Sequence, residues 1–170
     1  MQSGLQNAYL REIELQCSLI ARAASRLDRE SEASERDEVE IWMLVQTILT
    51  SGGVIAALLW GERCSERGWL RAQLDIEHSS PLRERLQQAG SERFDERVEE
   101  WEATRADRGF VVFAGRKIGD PDDPEDRSEW FQRYDAATGI VSFWNHTVDL
   151  AQIVREVHRM RPLASPVGQV

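Results

Sequence analysis

DEVEIWMLVQTILTSGGVIAALLW, residues 37–60, is apolar at Ile41, Trp42, Leu44, Val45, Ile48, Leu49, Val54, Ile55, Leu58 and Leu59. These positions run nearly all the way round a helical wheel, not along one stripe. A helix of that kind is central and contacted on several sides. It is predicted from about Asp37 to Trp60. Ser51-Gly52-Gly53 interrupts it, and two interior glycines cost about 1 kcal/mol each. Three readings stay open: a kink or break, a close helix–helix approach, or a ligand against bare backbone.

Upstream, residues 3–28 carry Leu5, Tyr9, Ile13, Cys17, Ile20, Ala24 and Leu27 at steps of three and four, with Leu15 and Leu19 widening the face. That period predicts an amphipathic helix. DRESEASERDE is polar and aperiodic, which predicts a loop. Downstream, a short helix from about Glu62 to Leu74 turns Trp69, Leu70 and Leu74 inward. The connector DIEHSSP follows, and Ser79 or Ser80 is placed to cap a helix beginning at Pro81. On that helix Leu82, Leu86, Gly90, Phe94, Val98 and Trp101 form the inward stripe.

Beyond Asp107 the pattern becomes β-like. Strands are predicted at 110–118, 129–134 and 140–147, with Gly139 supplying the positive φ of a hairpin turn. A last helix starts at Asp149 or just before, turns Leu150, Ile153, Val154 and Val157 inward, and ends near Met160 ahead of Pro162. The fold class is therefore α+β, mainly α: a bundle of four or five helices with a small antiparallel sheet inserted before the C-terminal helix. Residues 1–162 make one domain with the insertion at about 109–147, and 163–170 form a frayed tail.

The composition, 41% hydrophobic and 30% charged, is that of a globular chain. Thirty acidic against 21 basic residues give a net charge of −9. Nucleic-acid binding draws its strength from cations neutralising phosphates, and no Lys/Arg run offsets this balance, so nucleic acid is disfavoured as a partner. Two cysteines, Cys17 and Cys64, are too few for a disulfide framework. Cys17 lies on an apolar stripe, as a small buried thiol does. No signal pattern and no run of about 18 apolar residues is found, so no membrane segment is expected. A reducing, cytoplasmic setting follows.

The run LRERLQQAGSERFDERVEEW, residues 82–101, resembles the segment of HEPN-like helical proteins in which an Arg-Asn pair is followed by a His and then, in one bacterial group, by Glu-His-Phe-Asp-Glu-Arg. Glu92, Phe94, Asp95, Glu96 and Arg97 fit that tail, and RGWLRAQL, 67–74, resembles the helix before it. The resemblance spans about residues 40–105. It implies a helical bundle, a homodimer and, in active members, metal-free RNA cleavage. It fails where the chemistry sits: Arg93 stands at the His position, and Gln88-Ala89 at the Arg-Asn pair. A guanidinium, with a pKa above about 12, cannot shuttle a proton near neutrality. No catalytic residue is therefore assigned. Glu92, Arg93, Asp95, Arg97 and Trp101 are candidate binding residues for a protein partner or second copy. The plainer reading is a solvated face, with Arg93–Glu96 and Arg97–Glu100 as neighbours worth about 0.2–0.5 kcal/mol each.

Arg71 and His78 form the one other Arg-x6-His spacing, with His78 in a connector. His146 and His158 read as surface or satisfied histidines. No metal site is expected, because no histidine pair has ligand spacing and there is no CxxC. DPDDPED lacks the alternation of a calcium loop, and no cofactor motif is present. Three functions stay in view: a non-catalytic association module, a residual ribonuclease using Arg71, His78 or Arg93, and a small-ligand binder with a pocket between the second helix and the sheet.

Overall fold

A computed structural model describes residues 2–62, 64–83, 96, 99, 103, 116–119, 132–143 and 146–164. Four helices lie among them: α1 (Gln2–Glu32), α2 (Glu38–Trp60), α3 (Gly68–Gln73) and α4 (Leu150–Met160). A 3-10 turn, Cys64–Arg67, leads into α3, and a second, Arg161–Ala164, follows α4. Four strands, β1 (Arg116–Gly119), β2 (Gln132–Asp135), β3 (Ile140–Phe143) and β4 (His146–Asp149), make one sheet in sequence order. The fold is α+β and mainly α, with the sheet ahead of the C-terminal helix. The chain divides into two compact units, residues 1–88 with 152–170, and residues 89–151.

In the first unit α1 and α2 form an antiparallel hairpin across the short connection 33–37. α2 starts where its sequence provides a cap. The Asp37 carboxylate accepts from Val39 N (3.0 Å) and Glu40 N (3.1 Å), worth about 1 kcal/mol. Glu38 and Glu40 add favourable charge to the same end. Ile41, Val45, Ile48, Ile55 and Leu59 are fully buried, as are Ile13, Cys17 and Ile20 of α1, the helix against which α2 packs. α1 runs to Glu32, four residues past the predicted end: its charged tail is aperiodic, yet Arg and Glu are good helix formers on a wet surface. By length and composition α2 is apolar enough to cross a membrane, contrary to the sequence reading. Just over half, 56%, of its most apolar 18-residue stretch is buried inside the protein, as in the core helix of a folded domain.

α2 runs unbroken through Ser51-Gly52-Gly53, so the break reading is corrected. A Cβ on Gly53 meets nothing within 4 Å, which removes the close-approach reading at that glycine. Gly61 is different: a Cβ there falls 2.5 Å from Ala57 O.

In the second unit, burial alternates along the strands. Gln132, Tyr134, Val141, Phe143 and Val148 share one buried face of the sheet. β2, β3 and β4 pair antiparallel, and β1 pairs parallel to β2, so the expected all-antiparallel sheet acquires one parallel edge. The strand expected over 140–147 is two strands, since Phe143 pairs with His146. The β2–β3 turn is built as its sequence requires. Gly139 has φ +69°, its N–H donates to Asp135 O (2.8 Å), and the Asp135 side chain accepts from Ala137 N (2.9 Å). Leu150 N donates to Gly139 O (3.1 Å), fixing the start of α4 on that turn.

The two glycines give opposite expectations in urea denaturation. Gly53→Ala raises stability by about 0.5–1 kcal/mol, because an open helical site gains a better helix former. Gly61→Ala lowers it by about 1–3 kcal/mol through overpacking.

Candidate functional site

The end of α2 has no basic residue in its own last turn. The following segment supplies two. Arg67 Nη1 donates to Ala57 O (2.7 Å) and Leu58 O (3.0 Å), and Arg71 Nη1 donates to Leu59 O (2.6 Å). Ala57 O also accepts from the C-cap Gly61 N (2.9 Å); the guanidiniums add donors to Leu58 O and Leu59 O in the last turn and complement the negative end of the helix dipole. Arg67 also lies over the Tyr9 ring, 5.4 Å from its centroid, and Tyr9 meets Trp69 edge-on at 6.4 Å. Trp69 is half-buried, while Leu70 and Leu74 are fully buried.

This settles the place of the Arg71–His78 pair. Arg71 is bound to a helix end, and His78 is exposed in a turn whose carbonyl accepts from Arg83 (3.4 Å). His146 and His158 are exposed on β4 and α4. Among the described residues no group of His, Cys, Asp and Glu is arranged to hold a metal ion. Glu92, Arg93, Asp95, Arg97 and Trp101 lie outside the described residues. Glu96, Glu99 and Ala103, between and beyond them, are helical and exposed.

α3 closes on Asp75, whose φ of 51° is left-handed. Asp75 N donates to Ala72 O (3.2 Å) and Ile76 N to Arg71 O (2.9 Å), a Schellman ending. This turn and α4 border an open cleft of about 340 Å³ lined by Asp75, Glu77, Ser79, Ser80, Glu156 and Arg159, with Pro81 at its edge. Among the described residues lining it, the one cation, Arg159, is already engaged. Arg159 donates to both Glu156 oxygens (3.0 and 3.1 Å) and reaches Asp75 (3.3 Å). Hydrogen bonding to Glu156 raises Arg159 above the ordinary guanidinium range. The described lining therefore offers more acceptors than Arg159 uses and no second cation. Buried Ser80 accepts from Leu82 N (3.4 Å), but residues 81–83 form a turn and a bend, so the helix expected to begin at Pro81 does not start there.

Cys17 has no exposed surface. Burial, opposed by a smaller pull from Arg161, pushes its thiol up to about 12. It is a core residue, as its stripe position predicts.

The remaining unusual feature is the outer side of the hairpin. Val39 (80% exposed), Met43 (50%), Leu15 (52%) and Leu19 (38%) leave large apolar side chains in water. No charged residue occurs from Ile41 to Trp60. Sequence reasoning missed this side. It counted Leu15 and Leu19 into the buried stripe, and it read α2 as contacted on several sides without marking which side stays exposed.

Comparison with known proteins finds no matching family model, curated protein or solved structure.

Two outcomes test the local chemistry. Arg71→Met leaves Leu59 O without its donor and lowers stability by about 1–3 kcal/mol in denaturant titration. The raised thiol pKa means folding favours the neutral form. The contribution of Cys17 is whole below pH 9, the ordinary thiol value, and is lost as pH climbs toward 12. Wild type therefore loses stability over that window faster than Cys17→Ala, read as thermal midpoint against pH.

Proposed function

We propose that this chain is a non-catalytic association module of HEPN-like type, acting in the cytoplasm as a homodimer. The observation that carries the reading is the set of large apolar side chains exposed on the α1–α2 hairpin, since apolar patches of that kind mark association surfaces. The charge balance of −9 supports a protein partner over nucleic acid. The HEPN-like assignment rests on residues 82–101 and on the departures at Gln88, Ala89 and Arg93, which remove the proton shuttle of the active members.

The ribonuclease alternative that uses Arg71 loses its cation to the end of α2. The small-ligand alternative has a cleft near α4, but its lining is acidic and its arginine is already engaged.

Light scattering at micromolar concentration is expected to give twice the 19.5 kDa chain mass, and a species of 19.5 kDa alone removes the reading. Incubation with single-stranded RNA under metal-free conditions is expected to leave the RNA intact. Cleavage that disappears in His78→Ala restores the enzyme alternative.

A further inference from the structure

The exposed apolar side chains belong to one side of the hairpin, and a salt bridge shows this. Arg26 Nε lies 2.6 Å from Glu40 Oε1, which fixes where α1 and α2 meet at the loop end. Arg26 is half exposed and Glu40 mostly covered. Leu19 and Leu15 precede Arg26 by seven and eleven residues, and Met43 and Thr47 follow Glu40 by three and seven. Those are the intervals at which residues of a helix share a face. Because the helices run antiparallel, both rows leave the loop end together. Leu19 thus lies on the side, and near the height, of Met43 and Thr47. Thr50, exposed, and Val54, half-buried, continue the α2 row.

From this arrangement, and resting on the association reading above, we infer that the Leu15/Leu19/Met43/Thr47/Thr50/Val54 side of the hairpin is the surface on which a second copy docks, as two hairpins closing into a four-helix bundle. Size and charge both favour this occupant. From Val39 to Ala57, α2 is about 27 Å long and about 10 Å wide, which gives about 270 Å² in projection, well short of the ~800 Å² per partner of a stable interface. Adding the α1 row, one interhelical spacing of 8–10 Å away, about doubles the footprint, and side-chain relief increases the accessible area further. A flat two-helix surface of that size matches another hairpin better than it matches a single peptide helix.

Charge points the same way. A chain with a net charge of −9 repels its own copies wherever acids meet. On this side α2 contributes no charge after Glu40, and Glu40 is paired with Arg26. The flanking charges include Arg22, which is exposed. By the same intervals Glu12, half-buried, and Arg22 both fall on the α1 row, so this side carries charges of both signs and not a concentration of carboxylates.

The test uses the full chain, with circular dichroism confirming that each variant is folded. Light scattering compares wild type, Met43→Glu, Leu19→Glu and the off-surface control Leu163→Glu. In parallel, Thr50→Cys and Leu163→Cys are introduced into a Cys17→Ala, Cys64→Ser background and oxidised. The inference expects a wild-type dimer, at least about tenfold weaker association for Met43→Glu and Leu19→Glu, little change for Leu163→Glu, and a disulfide-linked dimer through Thr50→Cys but not Leu163→Cys. A dimer that survives both hairpin charges, or links through position 163, overturns the inference and leaves the homodimer reading standing. A wild-type monomer at tens of micromolar overturns both.

Discussion

A helix with no charged side chain from Ile41 to Trp60 cannot be left in water on every side. At roughly 25 cal/mol per Å² of apolar surface, keeping α2 covered is the largest favourable term available to this small domain. The rest of the first unit is arranged around that requirement. α1 folds back along it, and Leu70, Leu74, Ile153, Val157 and Met160 are buried with it in the core. Its two ends are held by polar groups, Asp37 before the first turn and Arg67 with Arg71 after the last.

The same constraint explains what remains exposed. The chain buries a little more than half of the most apolar 18 residues of α2. The uncovered part is uncharged and lies beside the row of α1 that carries Leu15 and Leu19. Among the described residues, Arg159 is engaged with Glu156 and Asp75, and Arg67 with the end of α2. The association role proposed above rests on the apolar side of the hairpin.

The sequence made α2 legible to within a residue at both ends, because its cap, its composition and Gly61 all mark the same limits. The period of α1 was legible, but its buried face was partly misplaced. Steps of four advance about 40° beyond a full turn, so a stripe traced from Leu5 through Tyr9 and Ile13 to Cys17 drifts by about 120°. Leu5 ends up exposed, and Leu10 and Ala23 take buried places. The hairpin turn at Gly139 was readable from its own residue. The reversal between Phe143 and His146 was not, because Phe, Trp and Val around it read as one apolar strand. Nor was the parallel β1–β2 pairing, which depends on segments distant in sequence. The arginine caps of α2 were missed for the same reason: Arg67 lies ten residues from Ala57, and nothing local ties them. The proposed binding residues Glu92, Arg93, Asp95, Arg97 and Trp101 lie outside the described residues, so the site that could be built came from α1, α2 and their exposed side chains instead.

Amide hydrogen exchange followed as a function of protein concentration tests the central claim most directly, because it reports where surface is covered when copies meet. The account predicts that peptides spanning 15–26 and 39–57 slow their exchange between nanomolar and tens-of-micromolar protein, while peptides spanning 132–149 do not change. Exchange in 39–57 that is independent of concentration, or slowing confined to the sheet, would contradict it.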